Sequence, residues 1–176
     1  TWLSDHQLKT RDYERIRVIF KQIVEAVAYI HEQLAIHRDL KPANILFDDK
    51  DQVRVCDLGI VSEFYYGDGL ELTGTRTATG TPLYCSPEQA RGERYNSKVD
   101  VFSLGLICID LYVYMTKDDQ KAVFNNYREE DDKKNPGIEI LSLIDDTRIR
   151  DLITNMTKFE YSERPSCRKV LDEYIQ

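Results

Sequence analysis

The chain of 176 residues is 41% hydrophobic and 31% charged, a composition typical of a soluble globular domain rather than a disordered chain. Its net charge of -7 argues against general nucleic-acid binding, because contact with the phosphate backbone requires a basic face. The sequence has no apolar run of the about 20 residues that span a membrane, and its N-terminus has no signal-peptide pattern.

The first predicted element is an amphipathic helix over residues 11–33, whose apolar residues recur three or four positions apart and form one core-facing side. Strand character follows in three short segments, 34–36, 45–47 and 53–56. The polar turn at 48–51 predicts that the last two of these strands pair as an antiparallel hairpin.

Residues 64–82 are rich in Gly and Thr and show little periodicity. They predict a long irregular loop, which is uncommon in a compact domain unless it has a function. Residues 97–114 are apolar nearly all round and therefore predict a buried central helix. Further helices are predicted at 118–128, 149–156 and 168–174, with a charged surface linker at 129–134.

The four cysteines, at positions 56, 85, 108 and 167, contain no C-x-x-C spacing. Zinc and redox motifs are therefore unsupported. Four scattered cysteines in a domain of this size fit a reducing compartment, and we expect free, mostly buried thiols.

The segment with the clearest chemistry is 37–44, His-Arg-Asp-Leu-Lys-Pro-Ala-Asn, which lies between predicted strands. A phosphoryl-transfer site needs a carboxylate that orients or deprotonates the nucleophile, a cation that neutralises the phosphate, and an oxygen ligand for a metal. Asp39, Lys41 and Asn44 supply these three groups.

A second carboxylate, Asp57, directly follows the strand-like segment 53–56 and precedes Leu58 and Gly59. A carboxylate at a strand end beside a glycine, where the backbone can turn, is a candidate metal ligand. The sequence continues through the long loop to Ser86-Pro87-Glu88.

These motifs, H-R-D-L-K-P-x-N, D-L-G and S-P-E in this order, resemble the catalytic loop, metal-binding segment and activation-segment end of eukaryotic protein kinases. Residues 100–105 and 163–165 resemble two later signatures of the same family. The resemblance implies a mainly α fold: the kinase-like C-terminal lobe, helical with short β-hairpins around the catalytic loop, and with the N-terminal lobe absent.

The resemblance implies a role for each matching residue. Asp39 is expected to act as the catalytic base and Lys41 to contact the γ-phosphate of ATP. Asn44 and Asp57 are expected to bind Mg²⁺. The expected cofactors are therefore ATP and Mg²⁺, with a catalytic loop at 37–44 and an activation segment at 57–88 in one kinase domain over 1–176.

Other matches are expected to be structural. By resemblance, Glu88 and Arg164 would form a buried ion pair, and Asp100 would brace the catalytic loop from the buried helix. His37 is structural in the family, and we assign it no chemistry.

Four residues are expected to regulate activity or to contact the catalytic loop. Arg38 would hold a phosphate placed on the activation segment, since a guanidinium binds phosphate with two donors. Thr75 and Thr77, in the Thr-rich loop 73–79, are the first candidates for that phosphate, and the alternative is an unmodified flexible loop. Thr81 would contact the catalytic loop near the substrate hydroxyl.

Residues 80–89 and 97–107 are similar to the kinases of the α subunit of translation initiation factor 2, and to the PERK-like members in particular, although Cys85 replaces the usual Met and Leu58 the usual Phe. The resemblance implies Ser/Thr phosphorylation of a protein, that α subunit being a candidate, in stress control of translation. It also implies a cytoplasmic-side location, at the endoplasmic reticulum membrane if the full protein is PERK-like, and a homodimer through the absent lobe. The net charge predicts no direct nucleic-acid partner for this region.

The sequence shows no G-x-G-x-x-G loop and no strand lysine of the V-A-I-K type, both of which a complete kinase needs. Two interpretations stay open. The chain is either the C-terminal lobe of a full kinase, cut from a longer protein, or a non-catalytic lobe remnant that acts as a binding or decoy module. In both cases we expect the isolated chain to have little or no kinase activity.

Overall fold

The computed structural model describes residues 12–57, 72–73, 83–129 and 136–174. The described part is mainly helical, as predicted, with two small sheets and two short 3-10 turns. Its helices are α1 (Tyr13–Glu32), α2 (Pro87–Ala90), α3 (Lys98–Tyr112), α4 (Lys117–Asn126), α5 (Pro136–Leu141), α6 (Thr147–Met156) and α7 (Cys167–Tyr174). The strands are β1 (Ile45–Phe47), β2 (Val53–Val55), β3 (Leu72–Thr73) and β4 (Arg94–Tyr95), and the 3-10 turns are Pro42–Asn44 and Tyr161–Glu163.

Helix α3 is the centre of the fold. Every residue from Val99 to Tyr112 is buried, which confirms the predicted central helix at 97–114. Helix α1 packs on one side of it and α6 on another. Among its apolar residues α3 carries three buried polar side chains, Asp100, Ser103 and Asp110, whose partners lie in the candidate site.

Helix α1 confirms the prediction for 11–33. Asp12 caps its N-terminus by accepting a hydrogen bond from the backbone N–H of Arg15 at 3.0 Å. One face, which includes Phe20 and Val27, is buried against α7, α3 and β2.

The predicted strand at 34–36 is wrong. The backbone N–H groups of Leu34 and Ala35 bond to the carbonyls of His31 and Ile30, and they therefore terminate α1. Leu34 has a φ of 58°, the left-handed conformation common at helix C-termini. The apolar run that suggested a strand instead supplies Ile36, which is buried beside Tyr95 and Val99.

Strands β1 and β2 form the predicted antiparallel hairpin, with Ile45 opposite Val55 and Phe47 opposite Val53. Asp48 shapes the turn, because its Oδ1 accepts hydrogen bonds from the backbone N–H groups of Lys50 and Gln52, both at 2.9 Å. The hairpin thus leads the chain from the end of the predicted catalytic loop back to Asp57.

Strand β3 pairs with β4, with Leu72 opposite Tyr95 and Thr73 opposite Arg94. The prediction of an irregular loop at 64–82 is therefore wrong at residues 72–73. Two residues are too few to show a period in the sequence, and their partner lies about 20 positions away along the chain. The other residues of this loop, and most of the predicted linker at 129–134, lie outside the described ranges.

All four cysteines are free thiols, as predicted, and three of them are buried. Within the described ranges no helix is both long and apolar enough to cross a membrane. Helix α2 begins with a capping box, in which Ser86 and Gln89 satisfy each other's backbone N–H groups.

Candidate active site

The backbone of the predicted catalytic loop is held by Asp100 of α3. The buried carboxylate of Asp100 accepts hydrogen bonds from the backbone N–H of His37 at Oδ2 and from that of Arg38 at Oδ1, both at 2.8 Å. The Nε2 atom of His31 lies 2.8 Å from the same Oδ2. Arg38 adopts a φ of 69°, which the surrounding structure must stabilise in a residue other than Gly. Asp100 thus has the bracing position that the resemblance implies.

The side chains of Asp39, Lys41 and Asn44 come together on this loop. The Nζ atom of Lys41 donates to Oδ2 of Asp39 at 2.7 Å, and both side chains keep a share of solvent contact, 39% and 19%. The Nδ2 atom of Asn44 donates to the backbone carbonyl of Asp39 at 2.9 Å. The three residues predicted to act together are therefore linked by direct hydrogen bonds.

His37 connects the loop to the end of β2. Its Nδ1 accepts a hydrogen bond from the backbone N–H of Asp39 at 3.3 Å, and its Nε2 lies 3.0 Å from the carbonyl of Cys56. Because Nδ1 must accept, the ring proton belongs on Nε2, which donates to Cys56. The ring is fully buried, and its position agrees with a structural rather than a chemical role.

Asn44 and Asp57 lie on neighbouring segments, since the backbone N–H of Cys56 donates to the carbonyl of Asn44 at 2.9 Å. Asp57 is exposed and has a φ of 58°, a second strained backbone position beside the loop. The Nδ2 atom of Asn44 is used by Asp39, so its Oδ1 is the atom suited to a cation. A carboxylate and a carboxamide oxygen fit Mg²⁺, which takes one or two protein ligands and completes its shell with phosphate and water.

The described residues contain no cluster of three or more His, Cys, Asp or Glu side chains that would hold a metal by themselves.

A cavity of about 330 Å³ opens beside the loop. Residues 38–41 of the loop line it, together with residues 83–85 and Ser103. We call residues 83–85 the cavity wall. The Oγ atom of Ser103 donates to the carbonyl of Tyr84 at 2.8 Å, so α3 braces the wall as well as the loop. The cavity places Asp39 and Lys41 where a ligand can reach them.

The chain beyond the wall is anchored by a buried ion pair. The guanidinium of Arg164 binds both carboxylate oxygens of Glu88, at 2.6 and 2.9 Å, and the two side chains are 0% and 2% exposed. Arg164 also donates to the carbonyls of Lys158 and Phe159 and stacks over the ring of Phe102. The pair that the resemblance implies is therefore present, with its remaining donors satisfied.

The structure leaves three predicted residues untested. Thr75, Thr77 and Thr81 lie outside the described ranges, and their proximity to Arg38 stays a prediction. Arg38 itself lines the cavity.

Several residues that sequence reasoning missed also hold the site. The Nε2 atom of Gln89 donates to the carbonyl of Arg38 at 3.1 Å. His31 contacts Asp100, and Ser103 contacts the cavity wall. Arg128 donates to two carbonyls of the wall. These contacts involve backbone groups or distant partners, so no spacing in the sequence indicates them.

Comparison with known proteins identifies the family. The protein kinase domain model matches residues 2–175 of the chain. The chain is 36% identical over 73% of its length to eukaryotic translation initiation factor 2-alpha kinase 3 of Bos taurus, and 32% identical over 92% to eIF-2-alpha kinase GCN2 of Mus musculus. It is 39% identical over 70% to the interferon-induced, double-stranded RNA-activated protein kinase of Rattus norvegicus.

The chain spans 12%, 11% and 23% of the length of these three relatives. The predicted similarity to the kinases of initiation factor 2α is confirmed. The described residues have the mainly helical architecture expected of a kinase C-terminal lobe, and the chain belongs to the protein kinase family.

Proposed function

We propose that this chain is the catalytic region of a Ser/Thr protein kinase, which transfers the γ-phosphate of ATP to a protein hydroxyl. The observation that carries the proposal is the group formed by Asp39, Lys41 and Asn44, linked by hydrogen bonds at the edge of an open cavity. A carboxylate, an ammonium and a carboxamide oxygen are the groups that phosphoryl transfer uses.

In this proposal Asp39 accepts the proton of the substrate hydroxyl at its carboxylate. Lys41 holds that carboxylate in place through Oδ2 and provides positive charge next to the transferred group. Asn44 and Asp57 would hold Mg²⁺. Bound Mg-ATP supplies the phosphoryl group and the cation that offsets its negative charge.

The loop geometry keeps these groups ready for the reaction. Asp100 fixes the backbone at His37 and Arg38 through charge-assisted hydrogen bonds, so little reorganisation of the loop is needed when substrate binds. The proposed regulation uses the same loop. A phosphate on Thr75 or Thr77 would bind Arg38, and Thr81 would contact the loop near the substrate hydroxyl.

We propose the α subunit of translation initiation factor 2 as the protein substrate. Support comes from the names of the relatives eIF-2-alpha kinase GCN2 and initiation factor 2-alpha kinase 3. The cytoplasmic-side location, the endoplasmic reticulum membrane and the homodimer stay predictions that depend on segments beyond this chain.

The test is a phosphate-transfer assay on the full-length protein that carries this chain, with labelled Mg-ATP and purified initiation factor 2α. Asp39→Asn keeps the size of the side chain but cannot accept the proton, and we expect the rate to fall by about 10²–10⁴-fold. Asp49→Asn is the matched control, because Asp49 lies in the exposed hairpin turn and should leave the rate unchanged.

An Asp39→Asn protein with the rate of the wild type would contradict the assigned base. Phosphate transfer to other proteins but not to initiation factor 2α would support the kinase activity and contradict the proposed substrate. If the full-length wild type transfers no phosphate, the interpretation as a non-catalytic binding module replaces the proposal of a kinase. The 176-residue chain alone is expected to show little activity in the same assay.

A further inference from the structure

The cavity wall is held from outside by a residue that the proposed chemistry does not use. Arg128 lies just beyond the C-terminal end of α4. Its Nε donates to the carbonyl of Cys85 at 2.8 Å, and its Nη2 donates to the carbonyl of Leu83. The two carbonyls belong to alternate residues of the wall, so one planar guanidinium fixes the course of the wall backbone.

The position of Arg128 is partly buried, which distinguishes it from a surface arginine. Burial lowers the pKa of its guanidinium, while the contact with Cys85 acts in the opposite direction. Arg128 also donates through Nη1 to Oδ1 of Asn125 at 2.9 Å. The partly desolvated guanidinium of Arg128 is stabilised by three acceptors in a fixed geometry. Removal of the guanidinium would deprive the carbonyls of Leu83 and Cys85 of this hydrogen-bond donor.

A second cluster connects the wall to both α3 and α4. The hydroxyl of Tyr84 donates to the carboxylate of Asp110, and the Nε2 atom of Gln120 donates to Oδ1 of Asp110 at 2.7 Å and to the Tyr84 hydroxyl at 3.2 Å. Burial and the neighbouring carboxylate raise the pKa of Tyr84 far above its usual value. Tyr84 therefore stays a hydrogen-bond donor, and its hydroxyl binds side chains of both helices.

We propose that Arg128 is a positioning residue for the protein substrate. By holding the carbonyls of Leu83 and Cys85, it fixes the position of the wall relative to Asp39, which lines the same cavity. An extended polypeptide with a hydroxyl side chain binds in this cavity. This inference rests on the proposed kinase function, and it assigns to Arg128 a part in substrate binding that acts through the wall backbone.

The experiment measures steady-state kinetics of the full-length protein with a serine peptide selected from a randomised peptide array. Arg128→Ala is expected to raise the KM for the peptide by about tenfold or more, since small displacements of a positioning element have large effects. The KM for ATP and the slow, peptide-independent hydrolysis of ATP are expected to stay unchanged. Arg128→Lys keeps the charge but not the planar fork, and it should restore less than half of the loss.

Arg150→Ala is the matched control. Arg150 also uses its guanidinium to bind backbone carbonyls, donating to Ile144 at 2.6 Å and Asp145 at 3.4 Å, and to the hydroxyl of Thr147. It lies at the start of α6, outside the cavity lining. Its loss should affect stability to a similar extent and leave the KM for the peptide unchanged.

The outcomes separate this inference from the function on which it depends. If the wild type phosphorylates no peptide or protein, the proposed function fails before Arg128 is tested. If the wild type is active, an unchanged peptide KM in Arg128→Ala overturns the positioning role, and so does an equal rise in the KM for ATP. Should Arg128→Ala fail to fold, Arg128→Lys decides the question, because full activity in that variant also overturns the proposal.

Discussion

The predicted catalytic loop and the cavity wall line the same cavity, but different kinds of group hold their main chains. The loop is fixed through its backbone N–H donors, which bind the buried carboxylate of Asp100. The wall is fixed through its backbone carbonyls, which accept from Ser103 and Arg128. For the main chain, an anion from the core holds the loop, and a hydroxyl and a cation hold the wall.

Helix α3 supplies groups to both sides. Asp100 near its first turn braces the loop, and Ser103 braces the wall three residues later, about one turn along the same face. Polar residues of an otherwise apolar buried helix therefore bind the main chain of both the loop and the cavity wall. Because main-chain groups of the loop make these contacts, Asp100 does not engage the side chains of Asp39 and Lys41, which bind each other.

The largest expected effect concerns the ion pair that anchors the chain after the wall. Glu88→Ala leaves Arg164 charged and fully buried, and we expect the free energy of unfolding to fall by about 3–5 kcal/mol. Urea unfolding followed by circular dichroism measures it. The control Glu93→Ala removes an exposed partner of Arg91 and should lower the free energy of unfolding far less, because water screens an exposed ion pair. Equal costs for the two variants would contradict the importance of burial.

Substitution of Asp100 and of Ser103 tests how firmly each residue holds its part of the cavity lining. Asp100→Asn replaces a charged acceptor of two backbone N–H groups, and we expect a loss of about 1.5–3 kcal/mol of stability together with reduced phosphate transfer. Ser103→Ala removes a neutral hydrogen bond to the wall and should cost about 0.5–1.5 kcal/mol. Urea unfolding compares the two losses of stability. A larger loss for Ser103→Ala than for Asp100→Asn would contradict the prediction that the charged brace of the loop is the stronger one.

A substitution on the opposite face of α3, at Gly105, is expected to cause a smaller loss of stability. A Cβ atom at Gly105 would lie 2.5 Å from Cγ2 of Thr157 and 3.2 Å from Cβ of Met156. Gly105→Ala gains helix propensity but forces α3 and α6 apart, and we expect a net loss of about 1–2 kcal/mol. Thermal unfolding measures this, and an unchanged or higher melting temperature would show that the two helices separate without cost.

The smallest effect is a pH dependence in the hairpin, away from both sides of the cavity. The backbone N–H of Gln52, followed by the side chain of Arg54, lowers the pKa of Asp48 below its usual value. A lowered folded pKa contributes stability above about pH 4, and that contribution is lost as the pH falls through the folded pKa. Asp48→Asn should therefore narrow the difference in stability between pH 6 and acid conditions, and Arg54→Ala should narrow it less.

How much of the fold the sequence predicts depends on how far apart along the chain the interacting residues lie. Helices α1 and α3 and the β1–β2 hairpin were predictable, because periodicity and turn chemistry are local. The proximity of Asp39, Lys41 and Asn44 was predictable from their close spacing in one loop, whereas their catalytic roles stay predictions. The wall contacts of Arg128 and the ladder of β3 with β4 were not, because their partners are backbone groups distant in sequence. The false strand at 34–36 has the same origin, since the helix end used the backbone donors that a strand would need.

The capping box of α2 explains a choice between two similar amino acids. Glu and Gln serve equally at the third position of such a box, since either side chain can accept from the N-cap backbone. Here the Oε1 atom of Gln89 accepts from Ser86, and its Nε2 donates to the carbonyl of Arg38. A glutamate would keep the cap and set a negative oxygen against the carbonyl. A substitution that is neutral for the helix would therefore disconnect the helix from the loop, so Gln89 transmits a change in the helix position directly to the residue that precedes Asp39.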